Sequence, residues 1–189
     1  MAAVERVRPN ILICGTPGTG KTTLASQVVE QLQFQLIDVP SIIKDNQYYE
    51  EFDPEYECHV LDEEKLLDHI EDDLLSPSGG CVVDYHASEL FAKRWFDLVL
   101  VLRTDTQLLY DRLATRGYKD KKLQDNVQCE IFNTLADEAK DAYDSSIVFE
   151  LTSNSPDDMQ SNVDWIRDWV TKWTDRKAPT ENGVEDMAT

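Results

Sequence analysis

The stretch GTPGTGKT, residues 15–22, decides the fold that this sequence predicts. It fits the pattern G-x-x-x-x-G-K-[ST], in which a glycine-rich loop binds phosphate groups. The apolar run NILIC, residues 10–14, precedes it with the length of a buried parallel strand, and residues 23–32 follow it with the apolar spacing of a helix. A phosphate-binding loop requires this strand and this helix around it. A glycine-rich turn that binds nothing is the alternative, and the complete context favours the phosphate loop.

The residues of this loop have separate expected roles. Gly15, Gly18 and Gly20 let the backbone turn its N–H groups toward phosphate oxygens, and the positive end of the following helix faces the same ligand. Lys21 is expected to reach the β- and γ-phosphates, and the Thr22 hydroxyl is expected to bind Mg²⁺. The motif therefore predicts a nucleoside triphosphate site, without deciding which reaction takes place there.

Apolar strands alternate with helices along the rest of the chain. This alternation predicts an α/β fold, a P-loop NTPase with a five-stranded parallel sheet and helices on both faces. The predicted strands are residues 10–14, 36–39, 81–85, 98–102 and 147–151, and the predicted helices are residues 23–32, 62–75, 104–115, 126–143 and 156–174. The final residues 175–189 have almost no large apolar side chains, so we expect a disordered acidic tail after a single domain, residues 1–174.

Asp84 ends the predicted strand GCVVD, at the edge where open α/β sheets bind their ligands. Near a phosphate loop, this acid is expected to hold Mg²⁺ directly or through water, and a chance acid at a strand end is the alternative. Because side chains along a strand alternate with a period of two, His86 should point to the same side as Asp84, and Tyr85 toward the core. A neutral His86 imidazole could orient or deprotonate a water molecule, or it could be a structural histidine that positions Asp84.

The chain has a formal net charge of −19, and its negative charge is concentrated. Between Asp45 and Asp73 it carries thirteen acidic residues and one basic residue, Lys65. Such a surface repels nucleic acid, because proteins bind nucleic acids mainly through lysine and arginine. We therefore expect no direct binding of free nucleic acid. The acidic stretch either holds a basic protein or serves only solubility.

A cluster of positive charge stands out in this acidic chain. Arg112 and Arg116 are four residues apart and share one helical face, and three lysines follow in the next six residues. Mobile arginines that close over a phosphoryl group stabilise the charge of the transition state and exclude water. We expect this catalytic role for Arg112 and Arg116. A basic helix end that pairs with the acidic region is the alternative.

The sequence also predicts where the protein works. No apolar run is long enough to cross a membrane, and the first ten residues lack the apolar stretch of a signal peptide. We therefore expect no membrane contact and a location in the nucleus and the cytoplasm. The four cysteines lack the spacing of a zinc site or a disulfide framework, and Cys14 and Cys81 are expected to be small buried side chains.

Several segments together resemble one protein family. They are GTPGTGKTTL, VDYH at residues 83–86, RWF at residues 94–96, LRTDT at residues 102–106, and TRGYKDKKLQDNVQCEIF at residues 115–132. They look like the adenylate kinase isoenzyme 6 family, divergent nuclear adenylate kinases that are also described as ATPase factors in small ribosomal subunit maturation. The resemblance covers nearly all of residues 9–174. Usual adenylate kinases share neither the VDYH strand nor the run at residues 115–132.

The resemblance implies a nucleoside monophosphate kinase fold with a short lid. The implied ATP site is Gly18, Gly20, Lys21, Thr22 and Thr23, the implied monophosphate-binding region is residues 38–61, and the implied lid is residues 115–125, with Arg116 on ATP. ATP, Mg²⁺ and AMP or another nucleoside monophosphate are the implied ligands. A basic small-subunit ribosomal protein is the implied partner, in the maturation of 18S rRNA. The D-x-H pattern of Asp84 and His86 accompanies ATPase activity in the family.

Lys44 departs from the pattern of this family. Its members usually carry an arginine at the matching position, where it grips the phosphate of AMP. Lysine keeps the charge but loses the two-pronged contact of a guanidinium. Pro40 and Ser41 also stand where a glycine and an aspartate are expected. Lys44 and Asp84 are therefore the predicted acceptor contacts, and the preferred acceptor stays open.

Three functions are compatible with these residues. The first is Mg²⁺-dependent phosphoryl transfer, ATP + AMP to two ADP, carried by Lys21, Thr22, Asp84, Arg112 and Arg116. The second is a nucleotide-switched ribosome assembly factor with little kinase activity. The third is a kinase of another small metabolite, because the phosphate loop and the lid alone do not identify the acceptor.

Overall fold

A parallel sheet of five strands forms the centre of the computed structural model, which describes residues 6–53 and 58–177. The strands are β1 Ile11–Cys14, β2 Gln35–Asp38, β3 Tyr49–Asp53, β4 Cys58–Leu61, β5 Cys81–Asp84, β6 Leu98–Arg103 and β7 Val148–Thr152. In the main sheet the order is β2-β5-β1-β6-β7, and all neighbouring strands are parallel. Strands β3 and β4 form a separate antiparallel pair.

Helices cover both faces of the sheet. They are α1 Lys21–Leu32, α2 Val39–Asn46, α3 Glu63–Leu75, α4 Thr106–Thr115, α5 Asp120–Ile131, α6 Thr134–Ala142 and α7 Pro156–Lys177, with a short 3-10 helix at Lys93–Trp95. Asp62 caps α3, because its carboxylate accepts a hydrogen bond from the backbone N–H of Lys65 at 3.2 Å.

The core has two layers, one on each face of the sheet. Alternate residues of each strand point to opposite faces, so Leu12 joins one layer while Ile11 and Ile13 join the other. The first layer includes the buried side chains of α3 and α6, and the second includes those of α1 and α7. These layers confirm the predicted fold class, a P-loop NTPase architecture with helices on both faces of a five-stranded parallel sheet.

The acidic and aromatic composition of residues 40–61 predicts an irregular segment, but the structure is more ordered there. Helix α2 begins directly after β2, because the Asp38 carboxylate accepts a hydrogen bond from the Ser41 backbone N–H at 3.1 Å. Pro40 lies in the first turn, where the helix does not need its missing N–H. The antiparallel pair β3–β4 follows, although its first strand carries two glutamates. The predicted irregular region is therefore wrong for its described residues, and residues 54–57 lie outside them.

Two predictions for the residues after α4 are also corrected, the loop between the predicted helices at residues 116–125 and the long helix at residues 126–143. Helix α5 begins at Asp120, inside the predicted lid, because Leu123 is buried against Leu109 and Leu113 of α4. The predicted helix at residues 126–143 is two helices, because Asn133 adopts a left-handed conformation with φ of 58°. An asparagine tolerates this conformation better than most residues, but neither glycine nor proline marks the break.

The last helix runs further than predicted. Helix α7 continues through Lys177, so residues 175–177 are helical and not part of a disordered tail. The rest of the predicted tail, residues 178–189, lies outside the described residues. Within the part of the chain that the structure describes, no helix has both the length and the apolar character needed to cross a membrane. Cys14 and Cys81 are buried as predicted.

Candidate active site

The phosphate loop, residues 15–22, joins β1 to α1 at the carboxyl edge of the sheet. Gly15 has φ of 135°, and an added Cβ would lie 2.6 Å from the carbonyl oxygen of Leu102, so no other residue fits there. Gly20, with φ of 97°, begins α1. Because Gly20 has no side chain that could cap the helix, the first N–H groups of α1 stay available for an anion.

Lys21 lies against this loop. Its ammonium donates hydrogen bonds to the carbonyl oxygens of Gly15, at 2.7 Å, and Thr16, at 3.1 Å. Partial removal from water lowers the pKa of Lys21 to about 8, and the negative charge of Asp84 opposes this shift. An anion in the loop would favour the charged ammonium, so the site is electrostatically prepared for phosphate.

Thr22 and Asp84 meet at the start of α1. The Thr22 hydroxyl donates a hydrogen bond to the Asp84 carboxylate at 2.5 Å. Burial raises the pKa of Asp84, while this hydrogen bond and the charge of Lys21 lower it and the neighbouring Asp38 raises it further. A buried carboxylate next to a second carboxylate favours a bound cation.

These oxygen atoms fit a magnesium ion. Mg²⁺ prefers oxygen ligands and usually takes only one or two from the protein, with waters and substrate phosphates completing its shell. Thr22 and Asp84 supply two such oxygens beside the phosphate loop. Among residues 6–53 and 58–177, no group of three or more histidine, cysteine or acidic side chains could hold a metal by itself.

His86 follows Asp84 by two residues, just beyond the end of β5. Strand β5 ends at Asp84, but the chain stays paired with β1, since Tyr85 N–H donates to the Ile13 carbonyl and Gly15 N–H donates to the His86 carbonyl, both at 3.2 Å. Asp84, Tyr85 and His86 all line a chamber of about 380 Å³ above the phosphate loop. Tyr85 is buried, as expected, with its ring edge-on to Phe91.

The environment of His86 favours a neutral imidazole. The side chain is exposed to solvent, yet surrounding protein atoms and the positive charge of Lys21 lower its pKa below the ordinary histidine value. His86 also lines two further cavities that adjoin the chamber, one toward Glu63 and Glu89 and one under α5. A neutral imidazole at this junction can accept a proton from a water molecule or a hydroxyl group.

The two predicted arginines lie together at a second cleft. Arg112, Arg116 and Thr23 line a cavity of about 670 Å³ beside the phosphate loop. Arg112 is held in place, because its guanidinium donates to the carbonyl oxygens of Gly18, Ser153 and Asn154 at 2.9 to 3.3 Å. Arg116 also lines the phosphate chamber, so it connects the two cavities.

Lys44 is not brought to these cavities. It is exposed in the last turn of α2 and does not line the chamber that Asp84 and His86 share. Its expected contact with an acceptor phosphate therefore has no support from this arrangement.

The loop after β7 was missed by the sequence reasoning. Ser153 donates a hydrogen bond to the Thr19 carbonyl at 2.6 Å and so supports the phosphate loop. Pro156 and Met159 line the larger cleft. The signal that could have identified these residues is position, since β7 ends at the same carboxyl edge of the sheet as Asp84. Tyr118, which lines the phosphate chamber from the lid side, was missed as well.

Comparison with known proteins supports the fold of this site. A family model described as an AAA domain matches residues 11–133. A shikimate kinase from Acinetobacter baumannii, solved in complex with shikimate, superposes with a TM-score of 0.60 over 90% of this chain and 96% of its own, at 14% sequence identity. The fold and the phosphate loop thus define a P-loop NTPase.

Two relatives narrow this class to a family. A Caenorhabditis elegans protein named adenylate kinase isoenzyme 6 homolog is 53% identical over 88% of this chain and 92% of its own length. A Drosophila melanogaster protein of the same name is 46% identical over 88% of this chain and 94% of its own. The chain belongs to the adenylate kinase isoenzyme 6 family. It is therefore a P-loop phosphotransferase of the nucleoside monophosphate kinase type.

Proposed function

We propose that this protein transfers the γ-phosphoryl group of ATP to a nucleoside monophosphate, with AMP as the first candidate, in a Mg²⁺-dependent reaction. The observation that carries the proposal is the chamber above the phosphate loop, in which Lys21, Asp84 and Arg116 lie together. Such a reaction needs no covalent intermediate, because positioning and charge neutralisation suffice.

The charged and hydroxyl side chains at the chamber and the larger cleft have separate proposed tasks. Lys21 binds the phosphates that are transferred, and Thr22 and Asp84 hold Mg²⁺, which neutralises phosphate charge when bound. Arg112, fixed against the loop, and Arg116, between the two cavities, stabilise the negative charge on the moving phosphoryl group. The cleft of about 670 Å³ beside Thr23 has room for the nucleoside of ATP.

We also propose that the protein hydrolyses ATP when no acceptor is bound. His86 supports this activity, because a neutral imidazole lies in the same chamber as Lys21 and Asp84. A water molecule that His86 deprotonates would attack the γ-phosphorus in place of the acceptor phosphate. Phosphate would then leave together with ADP.

The proposed partner is a basic small-subunit ribosomal protein, in the nucleus and the cytoplasm. The supporting observation is the solvent face of α3. Five acidic side chains of this helix are exposed, namely Glu63, Glu64, Asp68, Asp72 and Asp73. A basic surface would be attracted to this face at long range.

An acceptor panel tests the proposed reaction. We expect AMP to raise ADP formation from ATP and Mg²⁺ at least about tenfold above hydrolysis alone, since a bound acceptor is better oriented than water. ADP and free phosphate are measured together with AMP, dAMP or CMP present, and their ratio separates transfer from hydrolysis. If none of the three changes the rate while phosphate is still released, the kinase proposal fails and the nucleotide-switched assembly factor replaces it.

The affinity for ATP should depend on pH through Lys21. In the free protein its pKa is lowered to about 8, whereas bound phosphates favour the charged form and raise it. The ammonium therefore binds ATP most strongly below pH 8, and the affinity falls as the pH rises through that value, by at most about tenfold per pH unit.

The measurement is the dissociation constant of ATP with Mg²⁺ from about pH 7 to about pH 9.5, a range in which phosphate charge is nearly constant. Lys21→Arg is the matched control, because a guanidinium stays charged throughout. A wild-type affinity that stays flat over this range, or an arginine variant that keeps the dependence, would contradict the assignment to Lys21.

A further inference from the structure

Glu130 is a buried carboxylate that contacts the phosphate loop and does not line the chamber. It lies near the end of α5, with 4% of its surface exposed. Its Oε2 atom accepts a hydrogen bond from the Thr16 hydroxyl at 2.6 Å. Thr16 is 1% exposed, so this contact is closed to solvent. Helix α5 is thus connected directly to the phosphate loop.

The second oxygen of Glu130 is also fully engaged. Oε1 accepts hydrogen bonds from the Arg103 guanidinium at 2.8 Å and from the Thr104 backbone N–H at 3.0 Å. The same guanidinium donates to the Glu130 carbonyl oxygen and to the Asn133 side chain. The carboxylate is therefore fixed to the carboxyl end of β6 and has no freedom to follow a moving loop.

Thr16 is central to the phosphate loop. Its carbonyl oxygen accepts hydrogen bonds from the Lys21 ammonium, the Thr19 hydroxyl and the Thr19 backbone N–H. Any displacement of Thr16 would therefore disturb Lys21 and the turn that presents the loop N–H groups. The Thr16 hydroxyl is the side-chain contact that ties this residue to the rigid end of β6.

We propose that Glu130 is a positioning residue, which holds the phosphate loop in its ligand-ready shape through the hydroxyl of Thr16. The inference rests on the proposed function, because it assumes that ATP binds in this loop. Without the Thr16 hydroxyl, the loop spends part of its time in other conformations. In these, the loop N–H groups and the Lys21 ammonium no longer point toward the same phosphate. The apparent affinity for ATP falls by the same factor as the population of the competent shape.

Thr16→Val tests the inference, because it removes the hydroxyl at nearly constant volume and leaves the pair of Glu130 and Arg103 in place. Because a hydrogen bond to a charged group is among the stronger hydrogen bonds in proteins, we expect the dissociation constant of ATP with Mg²⁺ to rise about tenfold. The kcat at saturating ATP should change by less than about twofold, because bound ATP restores the loop. Thr16→Ser keeps the hydroxyl and should bind within about twofold of wild type.

The thermal midpoint of the nucleotide-free protein shows whether Thr16→Val changes the positioning of the loop or the stability of the fold. An unchanged dissociation constant with a lowered midpoint would overturn the inference, and so would a serine variant as weak as the valine variant. If Thr16→Val does not fold, Thr16→Ala removes the same hydroxyl with less bulk and takes its place. Wild-type protein that fails to bind ATP would overturn the proposed function itself, whereas wild-type binding with an unaffected valine variant overturns only this inference.

Discussion

Replacing Lys21 with methionine should reduce phosphoryl transfer by about a thousandfold, because this ammonium is the charge that the phosphate loop brings to the moving phosphoryl group. Lys21 already lies on the loop, bound to the carbonyl oxygens of Gly15 and Thr16. Methionine keeps the length of the side chain but has no charge and donates no hydrogen bond. Both kcat and the affinity for ATP should fall, and the larger loss should be in kcat.

The same substitution should leave the fold intact. Since partial burial lowers the pKa of Lys21, its charge opposes folding at neutral pH, and methionine removes that penalty. The thermal midpoint without nucleotide should stay within about 3 °C of wild type. Lys172→Met, on the exposed side of α7, is the matched control and should have full activity. Activity of the Lys21 variant within tenfold of wild type would mean that the loop is not the phosphate site.

The parts of this molecule that the sequence predicts well are those with a strong local signal. The phosphate loop has invariant spacing between a strand and a helix, and β1, β5 and β6 are short apolar runs buried on both faces. Because both faces of such a strand are buried, nearly all its residues are apolar, and a short apolar run is enough to locate it in the sequence. Asp84 and His86 both line the chamber, but β5 ends at Asp84, so their common side on one strand stays a prediction.

Other parts depend on contacts between distant residues, which a local pattern does not contain. Helix α5 is defined by the contact of Leu123 with α4, although lysines and aspartates surround it in sequence. The burial of Glu130 depends on Arg103, which is 27 residues away. Helix α2 is different, because its start has a local signal: the Asp38 carboxylate caps it and Pro40 lies in its first turn, where no N–H is needed. For α5 and for Glu130, tertiary packing overrides the local preference of the chain.

His86→Gly should lower ATP hydrolysis without acceptor by about a hundredfold, the contribution expected of a general base. The affinity for ATP should change little, because Lys21 and the loop N–H groups remain. The pKa of His86 is lowered below the ordinary histidine value, so the imidazole is neutral at pH 7. Wild-type hydrolysis should therefore fall as the pH drops through that lowered pKa, since protonation removes the base, and the variant should lack this dependence.

Two controls decide whether the imidazole itself is responsible. The Gly15 N–H donates to the backbone carbonyl of His86, so glycine at this position could loosen the phosphate loop through the main chain. His86→Ala lacks the imidazole without adding that freedom, and it should lose as much hydrolysis as the glycine variant. Added imidazole should restore part of the rate in both variants. A His86→Ala variant with the wild-type rate of hydrolysis would contradict the role of the imidazole, and so would equal losses of hydrolysis and ATP binding. Either result would show that His86 is structural and that the proposed ATPase activity has another base.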